Sequence, residues 1–423
     1  MSTLRVSNIE AKADASSPTI NEKVKITNSN GDVMLQLDGA TSGITTVGIN
    51  TTTAAFTVDG NQNFNFVGIV TAASFSGNLT GNATGLSGSP TLSGITSIST
   101  TNLTVNGNAY PATGPLSNRN MVINGAMQVW QRDTAFASVA SGGGRYTADR
   151  WNVPNRTRAA RSTDAPSGFT YSLLIDREQT GGVEPFTVST GIEVQDITQT
   201  GSHTLSFYAK SADITTLNIN VQDRTGVAEG GTNNSSIVTD EAITIDNTWT
   251  RYAHTFTISS VSFTGTSLRI SIGNTSAAQD DEALITGVQL EVGSVATPFE
   301  HRSYGEELAR CERYFEIIRA HGELCMGYSY ATTNATAPIR FRTVKRDAPD
   351  TITLGTAGQT SGTISFLKPD GNYPTTTGTH DVQNITTDGF RIRGNSYVGL
   401  TDDRVSPFYA YGNTIVAQVD AEL

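Results

Sequence analysis

Between Gly60 and Asn118 the chain carries no Lys, Arg, Asp, Glu or His, only Gly, Ser, Thr, Asn and scattered, mostly small apolar residues. Ordering a residue's backbone costs roughly 1–2 kcal/mol, and a segment so poor in large apolar side chains cannot offset that within one chain. It is expected to stay loose or to be ordered by other copies of itself, three identical strands supplying one another's neighbours. Gly77, Gly81, Gly85 and Gly88 are too irregular for the three-residue period of collagen. The segment therefore reads as a β-rich shaft and linker over 60–118, closed by Pro111, Gly114 and Pro115.

The rest of the 423 residues has room for several pieces, and its bias toward Thr, Ser, Asn and Gly favours strands and turns over helices. A net charge of -11 argues against a nucleic-acid partner, whose phosphates need a basic surface. Cys311 and Cys325 cannot build a disulfide framework, and the opening residues lack a basic-then-apolar leader pattern, so synthesis in a reducing cytoplasm is expected. No apolar run approaches the roughly 20 residues that span a bilayer, so no membrane insertion is expected.

Residues 1–59 hold most of the N-terminal charge and short alternating runs such as Val33–Leu37, which predict a small strand-rich knob. Gly43-Ile44-Thr45, Gly68-Ile69-Val70-Thr71 and Gly94-Ile95-Thr96 recur at spacings of about 25 residues, as stacked β units would. Over 119–302 the period becomes two: Leu205, Phe207 and Ala209, then Leu217, Ile219 and Val221, then Leu268, Ile270 and Ile272. That pattern predicts an antiparallel sandwich of eight to ten strands. A capping pair, Ser303 and Glu306, precedes Leu308, Cys311, Phe315 and Ile318 at helical spacing, predicting one amphipathic helix over 303–320. Strand patterning resumes over 321–423, a terminal β domain. The fold class expected is mainly β: an elongated trimer with a β-rich shaft, an antiparallel sandwich, one short amphipathic helix and a C-terminal β tip.

The stretch from Asn118 to Arg132, with Tyr146-Thr147-Ala148-Asp149-Arg150-Trp151, resembles the start of the jelly-roll module of phage tail-fibre proteins. Gly287–Gly293, Pro298-Phe299-Glu300 and the run from Tyr304 to Phe315 resemble its close. The opening Met1–Glu10 and the run from Gly68 to Gly88 are similar to structural proteins of marine cyanobacterial phages. The resemblance implies a homotrimeric virion fibre, held through its N-terminus by a tail or baseplate protein, whose distal domains meet host-surface glycan or lipopolysaccharide. It also implies a module akin to carbohydrate-binding ones. Such modules often hold a structural calcium, and Asn124, Asp281 and Glu282 occupy roughly corresponding places. No cofactor is otherwise required.

No HExxH, GxSxG or GxxxxGK sequence is present, and the five histidines lack metal-ligand spacing, so a non-enzymatic protein is expected. A polysaccharide-cleaving tailspike would need two carboxylates, for which Asp280-Asp281-Glu282 and Asp402-Asp403 are candidates. An architectural head fibre or tail-assembly component is the other alternative. Sugar recognition needs aromatic faces flanked by hydrogen-bonding side chains. Core packing is the simpler role for Trp130 and Trp151, whereas Trp249 and Tyr252 are candidates in the sandwich. In the terminal domain Tyr373, Tyr397, Tyr409 and Tyr411 sit among Gly, Asn and Asp, as recognition loops would place them. Arg340 and Arg342, with Lys345 and Arg346, form a local basic run suited to anionic sugars, or to pairing with nearby acids.

Overall fold

A computed structural model of the chain describes residues 117–422, apart from 138–143, 155, 178–183, 227–230, 357, 359–362 and 377. Nearer the N-terminus it describes a turn at 29–30 and five short strands. The chain divides into two units, Met1–Ser93 and Gly94–Leu423. In the first, Val24–Thr27, Val33–Asp38 and Gly43–Thr45 form an antiparallel three-stranded sheet. In the second, Leu103–Val105 pairs antiparallel with Asn108–Tyr110. The remainder of the expected knob and shaft lies outside the described residues.

The chain is mainly β, with antiparallel sheets and one α-helix among the described residues. Two six-stranded sheets form the sandwich. One runs Thr250–Ile258, Gly201–Lys210, Glu282–Val292, Ser172–Asp176, Arg158–Ser162, Ala135–Phe136. The other runs Thr232–Thr244, Thr216–Thr225, Ser267–Ala277, Glu184–Glu193, Asn152–Val153, Arg145–Tyr146. Period two is the cause of the arrangement: Leu217, Ile219 and Val221 are fully buried between the sheets, while Asn218, Asn220 and Gln222 turn outward. The strands number more than eight to ten because two-residue strands such as Asn152–Val153 are too short to leave a period.

The helix is shorter than the sequence suggested. It spans Tyr304–Glu312, with the Ser303 side chain accepting from the Glu306 backbone N–H. Phe315 and Ile318 instead begin the strand Phe315–Ala331, because the β-branched pair Ile317-Ile318 extends and pairs with Arg404–Asp420, Phe315 facing Asp420. Those two 17-residue strands are the spine of a seven-stranded C-terminal sheet. Asn334–Arg340, Gly389–Asn395 and Thr379–Gln383 follow in order on one side, with Thr351–Leu354 and Ile364–Phe366 on the other.

The start of this spine is joined to the sandwich by a buried charged knot. Arg150 is ion-paired to Glu422, donates to the Gly191 carbonyl at 2.6 Å and lies 3.5 Å over the Tyr314 ring. Arg132 reaches Glu422 at 3.3 Å and Asp420 at 3.1 Å. Tyr314 and Arg313 both donate to Glu193, at 2.5 and 3.1 Å.

On the outer face of the first sheet, Phe169 from the 163–171 loop packs over Gly287. There φ is +62°, and a Cβ would stand 2.7 Å from Phe169 Cζ and 2.9 Å from Tyr208 Cδ2. Gly287→Ala is expected to cost roughly 1–3 kcal/mol, read as a lower denaturation midpoint with an unchanged denaturant slope.

Candidate functional site

At one edge of the sandwich, the outermost strands of its two sheets, Thr232–Thr244 and Thr250–Ile258, flank a cleft of about 390 Å³. Ser235, Ser236, Thr257, Ser259, Ser260 and Ser262 line it with hydroxyls, beside half-buried Ile237 and Phe263. Asp223 sits at its base, but its carboxylate is occupied: it accepts from the Thr264 N–H and hydroxyl at 2.9 and 3.1 Å and from the Gly265 N–H at 2.9 Å. The cleft thus offers hydroxyl donors and acceptors and one half-buried aromatic ring, a surface matched to a neutral polyhydroxylated ligand. The serine-rich run Ser259-Ser260-Val261-Ser262-Phe263 was its only sequence signal.

Trp249 is half-buried beside Asp164 of the 163–171 loop. Its indole N–H donates to Asp164 Oδ1 at 2.8 Å, and Lys210 pairs with the same carboxylate at 2.5 Å while lying 5.6 Å from the indole centre. The bonds from Lys210 and then Trp249 hold the Asp164 carboxyl below its ordinary range. Tyr252 is half-buried and stands opposite fully buried Phe207, ring centres 6.0 Å apart, against the sandwich core. Trp151 is fully buried and donates to the Asn124 carbonyl at 3.0 Å; Trp130 donates to the Met127 carbonyl at 2.7 Å.

The expected calcium ligands are not brought together. Asn124 spends its amide on the carbonyls of Val129 and Asp149, both at 2.9 Å, and its side-chain oxygen accepts from Gln128 and Val129. Its backbone neighbour Gly125 meets Val288, whereas Glu282 begins that same strand six residues earlier, opposite Asp176. Asp281 turns back to accept from the Ala278 N–H at 2.7 Å. Among the described residues, no group of three or more His, Cys, Asp and Glu is placed to hold a metal ion. Asp402 and Asp403 are exposed turn residues.

In the C-terminal sheet, three of the four tyrosines converge. Tyr409 and Tyr411 occupy one face of Arg404–Asp420 with ring centres 6.2 Å apart, and Tyr373 lies 6.3 Å from each. Tyr397 does not join them: it is fully buried, its hydroxyl 2.6 Å from His380 Nε2, its ring edge-on to Phe366. The outer face of this sheet also exposes Met326, Tyr328 and Val405, at 62, 50 and 54%. Sequence reading missed these, although the alternation Met326, Tyr328, Tyr330 was available as a period-two stripe.

The basic run separates. Arg342 stays half exposed while pairing with Glu312 at 3.0 Å and Glu316 at 4.0 Å. Lys345 is buried and pairs with Glu316 at 2.5 Å, and Arg346 donates to the Ala421 and Glu422 carbonyls. Arg340 stays exposed beside a small pocket.

A family model described as a carbohydrate binding domain matches residues 156–278. Among solved structures, the CBM22-1 xylan-binding domain from Paenibacillus barcinonensis Xyn10C is similar at 16% identity and TM-score 0.26, over 38% of this chain and 100% of that one. TmCBM61 in complex with β-1,4-galactotriose is similar at 11% identity and TM-score 0.26, over 41% and 98%. The enzymatically active domain of tailspike protein 4 from bacteriophage CBA120 is similar at 17% identity and TM-score 0.27, over 43% and 24%. No curated protein matches the chain.

Proposed function

We propose that this protein is a non-enzymatic, trimeric virion fibre of the tail-fibre type that recognises host-surface glycan, with the hydroxyl-lined cleft of the sandwich as its principal sugar site. One observation carries the reading: every residue lining the cleft, from Asp223 to Phe263, falls within 156–278, the span matched by the carbohydrate binding domain. Phe263 and Ile237 offer an apolar surface for the C–H face of a sugar ring, and the serine and threonine hydroxyls bond its substituents. The motifs from Asn118 to Arg132 and from Gly287 to Phe315 support the virion assignment. Three copies on one shaft would convert weak single-site binding into useful avidity.

The test is a glycan array with the assembled full chain, followed by competition with phage for adsorption to host cells. A neutral oligosaccharide is expected to bind, and Phe263→Ala to weaken it roughly tenfold or more. Adsorption left unchanged by assembled protein would favour an architectural component. Release of reducing ends would make it a polysaccharide-cleaving tailspike.

A further inference from the structure

The outer face of the C-terminal sheet carries three arginines on neighbouring strands: Arg340 on Asn334–Arg340, with Arg391 and Arg393 on Gly389–Asn395. Strand parity places them, since Ile339, Phe390 and Ile392 are buried on the inner face. Arg393 is neutralised by Asp381 at 2.6 Å. Arg340 and Arg391 are not: among the described residues neither has an ion-pair or hydrogen-bond partner, and both line one pocket of about 160 Å³. Arg342, Lys345 and Arg346 of the basic run have found carboxylates or carbonyls, so in a chain of net charge -11 Arg340 and Arg391 form an uncompensated pair.

We propose that the pocket shared by Arg340 and Arg391 binds the anionic group, a carboxylate or a phosphate ester, of an acidic sugar. Two guanidinium forks present planar, fixed N–H donors that match a carboxylate or phosphate, and an occupant would relieve their mutual repulsion. Pro338 supplies the exposed apolar part of the lining, and Asn384 adds an exposed amide. The volume holds roughly five waters' worth of ligand, enough for the charged group and the adjoining ring edge but not for a chain. The next part of a saccharide meets aromatic surface on the same face: Pro338 pairs with Arg391, Thr336 with Arg393, and exposed Tyr328 stands opposite Thr336.

This inference rests on the glycan-recognition reading and narrows its ligand class, and the experiment separates the two. The assembled full chain is titrated calorimetrically with a galacturonate trisaccharide, its methyl ester, mannose 6-phosphate and mannose. The expected result is acid or phosphate bound at least roughly tenfold more tightly than its neutral counterpart, weakening as salt rises. Which of the two is preferred identifies the anion. R340Q/R391Q should abolish that preference, R340K/R391K should keep part of it, and R342Q should leave it intact. A neutral glycan bound at the sandwich cleft should be insensitive to all three. Equal affinity for charged and neutral probes overturns this inference alone, as does a preference that survives R340Q/R391Q. Failure of every probe and of every neutral glycan overturns both readings.

Discussion

Glu422→Ala should cost about 3–5 kcal/mol, the usual penalty for stranding one half of a buried ion pair. Arg150 is 1% exposed and has Glu422, 4% exposed, as its carboxylate partner; without it the guanidinium keeps only the Gly191 carbonyl and the Tyr314 face, with Nε already lacking a partner. The loss falls on the joint between sandwich and C-terminal sheet, because the same carboxylate also takes Arg132. The expected signature is therefore a single denaturation transition that splits in two. R150M/E422L removes both charges and should recover most of the loss, since replacing a buried pair by apolar groups is often neutral. An E422A protein as stable as the parent, with one transition, would mean that the knot is incidental to the joint.

The knot also shows which kind of information a sequence conceals. Alternation along Leu217, Ile219 and Val221 announces its own strand, because burial there is set by neighbours two residues away. Tyr409 and Tyr411 were expected in recognition loops; they lie instead in the strand Arg404–Asp420, whose parity puts them on one face, and Tyr373 reaches them from a nearby loop. The burial of Tyr397 was not legible, because His380 and Phe366, which enclose it, arrive from two other strands. Arg340 and Arg342 are two residues apart and looked equivalent. One ends a strand with its side chain outward, whereas the other lies past that end and meets Glu312 and Glu316, separated from it by 30 and 26 residues. The cleft was hidden for a further reason, as Ser235 and Ser236 come from one edge strand and Ser259, Ser260 and Ser262 from the loop after the other, with no shared period.

Acid should act on the two halves of the described structure in opposite directions. In the sandwich, burial pushes the Asp149 carboxyl up to about 6 from an ordinary 3.8, opposed by the Arg132 charge and by bonds from Gln131 at 2.9 and 2.5 Å. An acid whose folded pKa is raised binds its proton more tightly when folded, so its contribution to stability grows as pH falls from about 6 to about 4 and is lost on the way back up. In the C-terminal sheet, burial holds His380 down to about 4 from 6.5, and its Nε2 lies 2.6 Å from the Tyr397 hydroxyl. A base whose folded pKa is lowered resists its proton, so stability present above pH 6.5 is lost as pH falls toward 4. At 1.36 kcal/mol per unit each effect is at most roughly 3 kcal/mol, less for His380 in proportion to its remaining exposure. Asp149→Asn should therefore stabilise the sandwich at pH 7 and change little at pH 4, minus whatever the second Gln131 donation loses. His380→Gln should flatten the acid loss of the C-terminal sheet while leaving the sandwich profile alone. The measurement is residue-resolved hydrogen exchange of the three proteins between pH 4 and 7. Parallel profiles in sandwich and C-terminal sheet would show that neither group controls its own half.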